Sequence, residues 1–143
     1  MPRFIISFND GDMQVQDHEW QQVADDSHAV VREAKAAGVW IFGGGFHTYE
    51  PVVVTENGVV TQGPIKASDV VLGGFSVLEV ENREEAYKWA AKIAKGCRCP
   101  QEVREFIDDM KYQVEIAEDS FERAYNAQCK RALASIRKQV IGN

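Results

Sequence analysis

Apolar and polar residues alternate along several short stretches of the chain, and between them the apolar period lengthens to that of a helix. Arg3 to Phe8 reads as a compact strand closed by the turn-forming Asn9-Asp10-Gly11-Asp12. From about Asp17 to Ala37, Trp20, Val23, Ala24, Ser27, Val30, Val31 and Ala34 fall on one helical face, and Gly38 stands where a C-terminal cap belongs. Val39 to Phe42 is a buried-type strand running into Gly43-Gly44-Gly45, whose glycines are expected to allow a bend or bulge at the strand end.

Val52 to Thr55 and Val59 to Thr61 flank Glu56-Asn57-Gly58. Asn-Gly between β-branched runs predicts a hairpin in which both turn residues take positive φ. Gly74 to Val80 alternates as a central strand. Asn82 then caps a helix with Glu84 and Glu85 in its first turn, carrying Ala86, Tyr87, Trp89, Ala90, Ile93 and Ala94 and ending at Lys95-Gly96. Gln101 to Ile107 reads as a last strand. Residues 110–117 fit strand or helix equally, and from Phe121 the stripe of Tyr125, Cys129, Leu133, Ile136 and Val140 is helical. The order β-α-β, hairpin, β-α-β predicts an α+β fold with a ferredoxin-like split βαβ sheet, an inserted β-hairpin and a C-terminal helical extension. We expect one domain over residues 1–109, with 110–143 as an amphipathic extension of it. Helices on one face leave the other sheet face bare, so a face-to-face homodimer or higher homo-oligomer is expected.

Composition narrows the partners. With 143 residues, 45% hydrophobic and 27% charged, the chain suits one folded domain. A net charge of −6 argues against nucleic acid and against an anionic membrane surface. No apolar run approaches the roughly 20 residues of a membrane span, and the N-terminus lacks a secretory apolar region. Three cysteines are sparse for a disulfide scaffold, so a cytoplasmic protein with reduced thiols is expected. Residues 110–143 hold six Lys/Arg against four Asp/Glu, which favours docking on an acidic body over DNA binding.

Residues 59–80, VVTQGPIKASDVVLGGFSVLEV, carry a likeness. Gln62-Gly63-Pro64-Ile65 after the hairpin and Gly73-Gly74-Phe75 at a fixed interval resemble the YCII-related family, in the branch named for an Asp-Gly-Pro-Phe signature. Ala37-Gly38-Val39, Ala86 to Ala91 and Glu102-Val103-Arg104-Glu105-Phe106 match as well, and the likeness spans roughly residues 3 to 107. The resemblance implies a ferredoxin-like fold assembled as a dimeric α+β barrel. It also implies a pocket between sheet and helix where relatives are proposed to use a His–Asp pair, and an occasional association with transcription proteins. Here the signature's Asp is Gln62 and its Phe is Ile65. Glutamine hydrogen-bonds a turn but is no general base near neutral pH.

Two functions follow as expectations. One is cofactor-free proton transfer, of lyase or isomerase type, on a small organic acid or phenol. His28 would pair with His47 or Asp69, and Gln62, Lys66 and Tyr49 would hold the ligand. The other is a non-catalytic ligand-binding or accessory protein. Each residue also has an ordinary role: His28 beside Asp25 or Arg32 on a helix, His47 with Tyr49 and Glu50 in a solvated connection, Asp69 in a turn. Gly43-Gly44-Gly45 lacks phosphate-loop spacing, and Cys97-Arg98-Cys99 has no second Cys/His pair at zinc spacing, so no metal is expected.

Overall fold

The computed structural model describes residues 1–47, 50–64, 71–107, 123–124 and 126–138. Its elements run β1 (Arg3–Asn9), a single 3-10 turn at Asp17–Glu19, α1 (Trp20–Ala36), β2 (Trp40–Gly45), β3 (Val52–Val54), β4 (Val60–Gln62), β5 (Leu72–Glu79), α2 (Arg83–Cys97) and β6 (Glu102–Glu105). The fold is α+β. Four strands form one antiparallel sheet in the order β2-β5-β1-β6, and β3 with β4 forms a separate two-stranded sheet. Among the described residues, no helix is long and apolar enough to cross a membrane.

The chain divides into two compact units, Met1–Phe106 and Ile107–Asn143. In the second, residues 126–138 are helical, and Leu133 and Ile136 are 59% and 55% exposed. Residues 110–117 lie outside the described residues.

In the first unit, strand alternation sorts the sheet into two faces. Phe4, Ile6 and Phe8 of β1 oppose Leu78, Ser76 and Gly74 of β5, and all turn to the helices. Ile5, Phe75 and Val77 turn away. On that far side Phe75 meets the rings of Phe42 and Phe46 at 6.0 and 5.8 Å, and Phe42 is 63% exposed. The core lies under α2. Ala86, Trp89, Ala90 and Ile93, spaced as one helical stripe, press on Phe4, Ile6, Leu78 and Val80, with Ala34 reaching in from α1.

Local chemistry sets the ends. Asn82 caps α2 as expected, its side chain accepting the Glu85 N–H at 2.9 Å. The far end differs from expectation. Gly96 lies buried inside α2, where an added Cβ would sit 3.4 Å from the α1 backbone at Asp26 and Ser27. That glycine lets the two helices approach, so α2 continues to Cys97. The non-glycine residue Arg98 takes the left-handed cap at φ 56, with Glu19 accepting a hydrogen bond from its guanidinium at 2.8 Å.

The hairpin forms, but not with the expected turn. Val54 pairs with Val60, and the Gly58 N–H donates to the Thr55 carbonyl at 2.9 Å. Gly58 has φ +77, while Asn57 is not among the positive-φ residues, so a three-residue loop replaces the tight Asn-Gly turn. The glycine run also departs from expectation. Gly43 to Gly45 pair with β5 as part of β2, and the register shift falls earlier, between Trp40 and Phe42. The last strand is shorter than expected, Glu102–Glu105.

Candidate functional site

The apolar stripe of α1 meets a hollow rather than a filled core. Trp20, Val23, Ala24, Ser27, Val30 and Val31 line a cavity of about 560 Å³ between α1 and the sheet. That volume lies within the usual range of small-molecule sites, roughly 300–1,000 Å³.

The sheet explains the hollow. Under α1, the helix-facing positions of β2 and β5 are Gly43, Gly45, Gly74 and Ser76, where neighbouring positions hold Trp40 and Leu78. Two glycines make room for aromatic walls. A Cβ on Gly43 would sit 2.9 Å from the Trp40 indole and 2.6 Å from the Phe75 carbonyl oxygen. One on Gly74 would sit 2.8 Å from the Phe8 ring and 2.7 Å from the Gly44 carbonyl oxygen. The Gly73-Gly74 pair at the start of β5 thus seats Phe8, and Trp40 reaches across Gly43. Both aromatic residues line the cavity, and no side chain rises from the floor at Gly45.

Polar side chains are few in the lining. At the mouth, His28 and Lys35 of α1 line the cavity and are exposed, as is Trp20. Ser27, Cys97 and Gln101 also line it and are half-buried. The Ser27 hydroxyl donates its proton to the Val23 carbonyl at 2.6 Å, so the Cys97 thiol at 3.5 Å is the donor in their contact. The Gln101 amide N–H₂ group points at the Cys99 carbonyl and sulfur, each at 3.3 Å, leaving its buried Oε1 without a hydrogen-bond partner among the described residues. Burial first, then the neighbouring Cys97 thiol, pushes the Cys99 thiol up to about 11, so it stays neutral.

Of the candidates named from sequence, His28 lines the cavity. His47 follows β2, exposed and not among the lining residues, and Gln62 sits exposed on β4 opposite Val52. The site expected from His28, His47 and Gln62 together is therefore not assembled in this cavity. Gln62 instead belongs to the hairpin end, where Gly63 at φ +93 donates its N–H to the Pro51 carbonyl at 2.8 Å. Tyr49, Lys66 and Asp69 lie outside the described residues. Sequence reasoning missed Lys35, Cys97 and Gln101. It also missed the floor, although a usable signal was present: small residues at alternate positions of two strands beneath a helix stripe.

Chemically, this arrangement suits an apolar body against mostly apolar walls with a few polar contacts. Among the described lining residues there is no carboxylate, so His28 has no acid beside it there. Among the described residues, no group of three or more His, Cys, Asp or Glu could hold a metal ion. Comparison with models of known protein families and with curated proteins gives no match.

Proposed function

We propose that this chain binds a small, largely apolar molecule between α1 and the sheet, and that it does so without transforming it. The observation that carries this reading is the floor of Gly43, Gly45 and Ser76 under an apolar helix stripe, which leaves a cavity of about 560 Å³. The absence of a carboxylate among the described lining residues favours binding over acid–base turnover. The test is titration with 1-octanol, followed by the emission of Trp20 and Trp40 in the cavity wall. Saturable change in the wild type, lost in Ser76→Leu, supports the reading; no saturable change overturns it.

The finer fold assignment belongs with this proposal. The order β2-β5-β1-β6, with α1 and α2 following β1 and β5, supports a ferredoxin-like sheet of the YCII-related type. The exposed Phe42 and Phe46, with the half-buried Phe75 between them on the far sheet face, support a homodimer closed face to face, as in a dimeric α+β barrel. Light scattering then gives twice the 16.0 kDa chain mass, and Phe75→Arg returns it to one chain.

One observation favours a catalytic second reading: His28 lines the cavity. In that case His28→Ala abolishes turnover of the ligand while binding persists. Recovery of the bound ligand unchanged after long incubation excludes it.

A further inference from the structure

Resting on the cavity as a binding site, we propose that its ligand is an amphiphilic anion, with the apolar body enclosed and a carboxylate-type headgroup held at the mouth by Lys35 and His28. Some charged groups around the mouth already have partners and others do not. Around α1, Glu33 pairs with Lys92 and Glu19 with Arg98, while Asp25 and Asp26 accept hydrogen bonds from the neutral Gln21 and Gln22 amides at 3.0 and 2.8 Å. The cavity-lining Lys35 and His28 differ from these. Among the described residues, neither Lys35 nor His28 has a hydrogen bond or ion pair.

Two turns of helix separate His28 from Lys35, so both stand on the side of α1 that lines the cavity. Lys35 in the last turn also suits the helix dipole. That accounts for Lys35 alone, because His28 lies mid-helix where the dipole has faded. The Lys35 ammonium, with the His28 imidazole as a hydrogen-bond donor on the same side of the helix, offers a local site for an anion in a chain of net charge −6. No described lining residue is a carboxylate that would receive an amine.

The experiment compares octanoate, 1-octanol and octylamine, equal in chain and different in head, by Trp20 and Trp40 emission at neutral pH. Octanoate should bind tightest. Lys35→Gln should weaken octanoate about threefold to fivefold, as expected for a partly exposed charge contact, while leaving 1-octanol unchanged. Added salt should weaken octanoate alone. Equal binding of octanoate and 1-octanol with no effect of Lys35→Gln, or a preference for octylamine, overturns the charge assignment and leaves the cavity reading standing. If none of the three binds, both fall.

Discussion

The two helices rest on opposite kinds of floor. Both are amphipathic to a similar degree, and both present an apolar stripe to the same face of the same sheet. Beneath α2 the sheet offers Phe4, Ile6 and Leu78, and the space closes to a core. Beneath α1 it offers Gly43, Gly45 and Ser76, and the space stays open. A helix stripe therefore specifies which side turns inward, while the residues across from it decide whether that side is packed or hollow. Closed packing supplies stability through buried area and dispersion. The hollow forgoes part of that and gains room for a ligand.

This contrast can be broken by mutation. Leu78→Ala, at a 0% exposed position of the packed half, should lose about 2–5 kcal/mol in urea unfolding. Val31→Ala in the cavity wall should lose less than about 1 kcal/mol, because its side chain already borders empty space. Equal losses would mean that the two halves are packed alike. The floor glycines give the next effect. Gly74→Ala forces a Cβ to 2.7 Å from a carbonyl oxygen and should cost about 1–3 kcal/mol. Gly45→Ala meets nothing closer than 3.8 Å and should be nearly silent.

A smaller effect is expected at the α2 cap, where Asn82→Ala removes the acceptor for the Glu85 N–H and should cost about 1 kcal/mol. The thiols sharpen the contrast further. Iodoacetamide at neutral pH should label Cys97 in the cavity and spare the buried Cys99, with peptide mass mapping as readout. Cys99 also gives a direction with pH. Its folded thiol titrates at about 11 against an ordinary 9.0, so the folded state holds the proton more tightly. Its contribution to stability is complete below about pH 9 and is lost as pH rises toward 11. Cys99→Ser in the same alkaline titration should flatten that slope.

Much of this fold could be read along the chain, because alternation and helical period report directly on which side of an element is buried. Arg3 to Phe8, the α1 stripe and the Asn82 cap all depend on neighbours within a turn or two. What depended on distant partners was less legible. Gly43 to Gly45 resembled punctuation, and only pairing with β5 keeps them in a strand. Gly96 resembled a helix end, and the nearby α1 backbone gives it a place inside α2. His28 was singled out in the sequence as a titratable residue roughly a quarter-turn off the α1 stripe, and it lines the cavity. Cys97 and Gln101 were missed, because Cys97 ends the other helix and Gln101 follows the turn at Arg98, so both depend on how α2 and its exit pack beside α1.

The account stands most directly on where a ligand touches the chain. Backbone amide chemical shifts followed by NMR during titration with octanoate will show it. The changes should gather at residues 20–31, at Gly43–Gly45 and at Ser76, leaving Phe4, Ala86 and Val103 of the packed half unmoved. Shifts centred on the α2 half, or spread evenly over the sheet, would contradict the proposal that the hollow under α1 is where the ligand binds.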